Sequence, residues 1–264
     1  IIIGAMKSAT STLHTQLALQ EGIFMSTPKE PNYFSDDEEY ARGERWYSAL
    51  FSNADLNDLC GESSTHYTKL PTYPLTVERM ARSLEKPKFI YVMRHPIDRL
   101  VSHYIHQWSQ NKFKSDINQA IDQYEELTAY SCYARQLEPY IKQYGTENIL
   151  PVFTEAIRLN PQAQLQRVAD FIGYRGMMTW QGDVAPQNVS GERVRRFKGS
   201  GWLVGSKTMT FLRRSLVPQS VRDKIKAGLS MKNKPKIGVV QLEKLNVRFD
   251  HDLAKLGASL GVVL

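Results

Sequence analysis

Cysteine is scarce in this chain: 264 residues hold two, Cys60 and Cys132, in no C-x-x-C pair and beside no cluster of ligand-type side chains. That argues against a disulfide framework and a structural zinc site, and a reducing compartment, the cytoplasm, is the expected setting. Apolar runs near the ~20 residues that span a bilayer are lacking, as is a signal peptide. Internal repeats and low-complexity tracts are missing too. His103 and His106 stand three apart near His95, but no third ligand accompanies them; they read as helix-surface or ligand-rim residues, and no metal is expected.

Acidic residues are nearly absent from one segment. Residues 193–236 hold 13 of the 34 Lys/Arg and a single acid, Asp223, which leaves 21 basic and 26 acidic residues elsewhere. The basic excess therefore belongs to one C-terminal block, set against a remainder of about −5. Such a block suits an anionic ligand, an acidic polymer or a membrane surface; a solvated surface is the plainer reading. Nucleic acid is not an expected partner.

With 42% hydrophobic residues the chain can bury a sizeable core, and no linker interrupts it, so one domain over residues 1–264 is expected. Short β-type runs at 1–4, 22–25, 59–62, 88–93 and 149–153 alternate with helical patterns. The helices are expected near 11–20, 74–84, 96–110, 116–144, 161–172 and 239–257. This alternation predicts an α/β fold with a mostly parallel central sheet flanked by helices. In such sheets ligands gather outside the carboxyl ends of the strands. The residues there are Lys7 and its neighbours, Pro28-Lys29-Glu30-Pro31, Glu62-Ser63-Ser64 and Arg94-His95-Pro96.

The opening stretch, Ile1-Ile2-Ile3-Gly4-Ala5-Met6-Lys7-Ser8-Ala9-Thr10-Ser11-Thr12, reads as strand, short turn and helix start. Backbone N–H groups, a helix N-terminus and one ammonium meet there, which makes a phosphate-type anion site. A Walker A loop would need glycine at Ala9 and lysine at Thr10. Here the lysine follows Gly4 by three residues rather than six. Further on, Met93-Arg94-His95-Pro96-Ile97-Asp98-Arg99-Leu100-Val101-Ser102 ends a strand in arginine, starts a helix at proline and places Ser102 about two turns along. Arg94 and Ser102 suit one phosphate, by a charge-assisted fork and a hydroxyl bond.

Taken together the two segments resemble the sulfotransferase family, whose sulfuryl donor is 3′-phosphoadenosine 5′-phosphosulfate (PAPS) and whose nucleotide product is PAP. The resemblance implies a P-loop-like three-layer fold. It implies that Lys7, Ser8, Ala9, Thr10, Ser11 and Thr12 hold the 5′-phosphosulfate, and that Arg94 and Ser102 hold the 3′-phosphate. Pro28-Lys29-Glu30-Pro31-Asn32-Tyr33-Phe34 is similar to the loop bearing the catalytic glutamate in members acting on heparan-type glycans. Glu30 is then the expected general base, with His66 the alternative, and Lys7 the group that stabilises the leaving phosphate. Ala9 stands where the family often has glycine. Arg195-Arg196-Phe197-Lys198-Gly199-Ser200-Gly201 is an inexact match to the family's later phosphate loop, which would add Lys198 and Gly199 to the donor site. The resemblance implies a hydroxyl or amine acceptor, with a carbohydrate expected. A membrane anchor ahead of residue 1 would move the expected location to the Golgi lumen.

Two other readings compete. A P-loop kinase would use ATP and need magnesium, for which Glu62 is the nearest acid. A non-enzymatic module would bind acidic glycan or membrane through 193–236 and leave the strand-end residues without a task.

Overall fold

The computed structural model describes residues 1–183 and 234–262. Five short strands carry its architecture: β1 (Ile2–Gly4), β2 (Ile23–Met25), β3 (Leu59–Gly61), β4 (Phe89–Met93) and β5 (Ile149–Phe153). β1, β4 and β5 pair in that order and β2 pairs with β3, all parallel. Ile2 joins the two groups, donating its N–H to Glu62 O (2.9 Å) and accepting from Ser64 N (3.0 Å). The strand order is thus β2-β3-β1-β4-β5. The chain crosses from one side of β1 to the other between β3 and β4, which is the topological switch that opens a crevice above β1.

Successive strand residues point to opposite faces, and the core sorts accordingly. Ile3, Phe89, Tyr91, Met93 and Ile149 face one apolar layer; Ile2, Ile90, Val92, Leu150 and Val152 face the other. The first layer is closed by α4 (Thr76–Ser83), α8 (Tyr133–Tyr144) and α11 (Val239–Leu260), through Met80, Leu137 and Leu256. The second is closed by α1 (Thr10–Ala18), α9 (Thr154–Leu159) and α10 (Pro161–Ile172), through Leu13, Leu17, Ile157, Leu165 and Val168. Burial on both faces explains why β1 and β4 read as continuous apolar runs, each large side chain contributing roughly 1.5–3 kcal/mol, whereas β3 is exposed at Leu59 and Cys60. This is the expected three-layer α/β arrangement.

A third apolar cluster lies beside the sheet. It joins α5 (Pro96–Ser109), α6 (Ile117–Gln123), α7 (Glu125–Ala129) and α11 through Leu100, Tyr104, Ile121, Leu127 and Phe249. The helical stretch read over 116–144, for which a break was allowed, is three helices. Tyr124 and Cys132 leave helical geometry, at ψ 97° and 87°, and turn the chain between them. Two further short helices, α2 (Asp37–Tyr40) and α3 (Glu44–Ala49), together with α9, were not expected; four to six residues are too few for a periodic pattern to register. Lys198, Gly199 and all but the last few residues of the basic block lie outside the described residues. Among the described residues no helix is long and apolar enough to cross a membrane.

Candidate active site

The first loop is anchored by its neighbours. Ala5 N donates to Val92 O (2.6 Å), and Thr154 Oγ1 reaches both Ser8 O (3.1 Å) and Met93 O (2.9 Å). Thr154 thereby staples the loop to the end of β4. Gly4 cannot be replaced, because a Cβ there would lie 2.0 Å from Thr68 Oγ1, and Thr68 donates to Ile3 O. Lys7 and Ala9 adopt left-handed backbone, φ 74° and 60°, the conformation from which anion-binding nests are built. Ala9 caps α1 without any side-chain hydrogen bond, and no acidic residue occupies the first turn. No acidic side chain therefore offsets the positive dipole end of α1. Ser8 and Thr10 are buried beneath the loop; Lys7, Ser11 and Thr12 are partly exposed.

Across β1, the loop after β2 is laced to the loop after β3. Glu30 N donates to Ser63 O (2.9 Å) and Asn32 N to Ser64 Oγ (3.0 Å), while Ser64 Oγ donates to Glu62 Oε2 (2.7 Å). These bonds hold Glu30 and Asn32 at φ 62° and 52°. The Glu30 carboxylate accepts from Lys29 Nζ at Oε1 and from Thr65 N (2.8 Å) and Thr65 Oγ1 (3.0 Å) at Oε2. Burial favours the neutral acid, but the Lys29 ammonium and the two Thr65 donors together outweigh it and hold the carboxyl below the usual glutamate range.

His14 bridges the two halves. It lies one turn into α1, and its Nδ1 sits 2.8 Å from Ser63 Oγ. Burial, with the Lys29 charge adding and Glu30 opposing, lowers its pKa to about 4, so the ring is neutral near pH 7. The helix that starts at the Lys7 loop therefore touches the loop after β3, to which the Glu30 loop is bonded through Glu30 N and Ser63 O. His66, the alternative base, has Nδ1 3.1 Å from Asp36 Oδ1 and stacks on Tyr73 at 4.6 Å. Burial and then Lys69 push its pKa down, against Asp36. Lys69 faces the same region: burial lowers it to about 8, with Glu30 and Asp36 opposing and Arg99 and Lys112 adding.

On the other side of β1, Arg94 follows β4. Tyr133 fixes its backbone, its hydroxyl donating to Arg94 O (2.6 Å) and lying 3.4 Å from Arg94 N. Arg94 Nη2 lies 3.5 Å from Asp98 Oδ2, and its buried Nε has no partner, which leaves guanidinium capacity for a further anion. Ser102 is buried on α5, and Pro96 opens that helix. Lys234 lies 3.7 Å from Asp98 Oδ1, which also faces Arg94.

Two expectations change. Glu62, the nearest acid for magnesium, is fully buried, and its oxygens are taken by Tyr47, Tyr67 and Ser64 hydroxyls, so it does not face the crevice. His103 is also fully buried rather than on the helix surface, because α5 is packed on two sides and its ring stacks on Tyr130 at 5.6 Å. His14, Thr65 and Lys69 were missed. For His14 a signal existed, four residues after Thr10 and so on the same helix face. For Thr65 and Lys69 there was none, since their partners lie more than thirty residues away.

The mouse heparan sulfate glucosamine 3-O-sulfotransferase 3B1 is 25% identical over 210 residues, 76% of this chain and 52% of that protein. The bovine bifunctional heparan sulfate N-deacetylase/N-sulfotransferase 2 is 26% identical over 197 residues, 66% of this chain and 22% of that protein. At most, the chain spans about half the length of the curated relatives it matches. Among solved structures, a sulfotransferase from Alicyclobacillus acidocaldarius superposes with a TM-score of 0.68 at 21% identity, covering 100% of this chain and 95% of the other, a likeness of fold. A mouse sulfotransferase, SULT7A1, complexed with PAP superposes at 0.50 with 14% identity, covering 97% and 84%. The sulfotransferase domain model matches residues 1–257, nearly the whole chain, which therefore belongs to the sulfotransferase family.

Proposed function

We propose that this chain transfers a sulfuryl group from PAPS to a hydroxyl or amine, with a carbohydrate as the acceptor class, Glu30 as general base and Lys7 as the cation at the leaving phosphate. One observation carries the reading: α1 opens at a lysine-bearing loop without a side-chain cap and one turn later, through His14, meets Ser63 of the loop after β3, whose backbone oxygen also holds the N–H of an ionised Glu30. Donor and base therefore face one crevice above β1. The acceptor oxygen or nitrogen attacks sulfur in line, the bond from sulfur to the bridging phosphate oxygen breaks, and PAP leaves. The acceptor proton passes to Glu30. Oε2 already accepts twice from Thr65, whereas Oε1 accepts only from Lys29, so Oε1 is the oxygen with room for it. The residues of the first loop and Arg94 with Ser102 fit the two ends of the nucleotide, the left-handed turn and bare helix end at one, the unfilled guanidinium at the other. The carbohydrate acceptor follows the relatives named for heparan sulfate glucosamine, and the basic block suits a polyanionic chain.

Calorimetry with PAP and with ATP plus magnesium tests this. Tight binding of PAP, with ATP weaker by at least about tenfold, is expected; preference for ATP would give the kinase reading the site. Arg94→Ala is expected to weaken PAP by roughly tenfold or more, because charge-assisted bonds to phosphate contribute about 1.5–3 kcal/mol. Adenosine 5′-phosphate, which has no 3′-phosphate, should bind both proteins alike. Unchanged PAP affinity in Arg94→Ala removes the 3′-phosphate assignment.

A further inference from the structure

Thr154 is the first residue after β5 and is buried. The β4–β5 register, Phe89 on Ile149 through Met93 on Phe153, sets it beside the end of β4. Its hydroxyl has one proton to donate and two carbonyls to receive it, Ser8 O at 3.1 Å and Met93 O at 2.9 Å. Ser8 follows Lys7 in the first loop, and Met93 precedes Arg94.

The next residue works at the same corner. Glu155 Oε1 accepts from His95 N at 3.1 Å, so Thr154 and Glu155 hold the backbone on either side of Arg94. The near end of the first loop is held separately, by Ala5 N on Val92 O. Thr154 holds its far end, past Lys7. One buried hydroxyl therefore bridges the two backbone segments that carry the Lys7 site and the Arg94 site. A ligand with a phosphate at each end gains from both sites only when they stand at its own span.

We propose that Thr154 is a positioning residue that sets the span between the 5′- and 3′-phosphate sites, acting through Ser8 and Met93, and so makes the crevice selective for a bisphosphorylated nucleotide. The proposal rests on the reading that the first loop and Arg94 hold opposite ends of one adenosine nucleotide. Without the hydroxyl, Ser8 O and Met93 O lose this donor, and a buried carbonyl short of a partner is costly enough to shift the loop that carries it.

The test is calorimetric titration of PAP, adenosine 5′-phosphate and adenosine 3′-phosphate into wild type, Thr154→Val, Thr154→Ala and Thr154→Ser, each melted to check folding. The two variants without a hydroxyl should bind PAP about fivefold to tenfold more weakly, the size of effect one such hydrogen bond commands. Both monophosphates should stay within about twofold of their wild-type affinity, because a single phosphate needs no span. Thr154→Ser keeps the donor and should bring PAP back to within about twofold of wild type. Normal PAP binding without the hydroxyl overturns the proposal, as does an equal loss for all three nucleotides or a loss in Thr154→Ser as large as in Thr154→Val. Failure of both hydroxyl-free variants to fold where Thr154→Ser folds also overturns it, since the hydroxyl would then serve the fold. A wild type that binds PAP no more tightly than the monophosphates sinks the two-ended donor site itself, whereas a preference for PAP that survives in Thr154→Val sinks only the role of Thr154.

Discussion

Lys7→Ala is expected to lower kcat by ~10³-fold or more in a protein that still folds. In sulfuryl transfer, charge builds on the oxygen between phosphorus and sulfur as the bond breaks, and a cation already in place there stabilises the transition state more than the ground state. Lys7 is the lysine of the first loop, partly exposed and in left-handed backbone ahead of α1. Alanine meets the same backbone preference as lysine, so the change adds no strain at φ 74°. The bare end of α1 remains to hold phosphate, so PAP affinity should fall by less than turnover does. The measurement is PAP release under saturating donor, with calorimetry on the same preparation. Turnover within tenfold of wild type sinks the role of Lys7, whatever happens to binding.

What could be read from the chain, and what could not, follows the range of the interactions. β4 was legible because five consecutive apolar residues buried on both faces leave an unbroken signal, and its arginine end marked the crevice. The Lys7 loop and the proline start of α5 were legible for the same reason, since strand, turn and helix start lie within a dozen residues. The environment of Glu30 was not. Its carboxylate is set by Thr65, 35 residues away, and its loop by Ser63 and Ser64, all brought in by the β2–β3 pairing. Glu62 and His103 were misread because polarity suggests exposure, whereas three hydroxyl donors and a stacked tyrosine let them stay inside. The breaks at Tyr124 and Cys132 carry no proline or glycine: α6 and α7 pack with α5 in the cluster beside the sheet, whereas α8 packs on the sheet layer.

Glu30→Gln separates chemistry from binding. Glutamine is nearly isosteric and can still accept from Thr65, and the loop itself is held by backbone donors, Glu30 N to Ser63 O and Asn32 N to Ser64 Oγ. Donor affinity should therefore stay within about twofold while kcat falls about 10²-fold or more, the usual range for a lost general base. The pH profile gives an independent readout. Lys29 and the Thr65 donors overcome burial and keep the Glu30 carboxyl below its ordinary range, so the base is ionised at neutral pH. The wild-type rate should then be flat around neutrality and fall only as pH drops through that lowered value, with an acid limb that Glu30→Gln lacks. The sign for stability is the same: a depressed folded-state pKa means the Lys29–Glu30–Thr65 bonds contribute above the unfolded glutamate pKa of ~4.3 and are lost as pH falls through the folded value. An unaltered kcat in Glu30→Gln, or an acid limb that survives the substitution, would move the base to His66, whose Nδ1 on Asp36 leaves Nε2 to accept a proton.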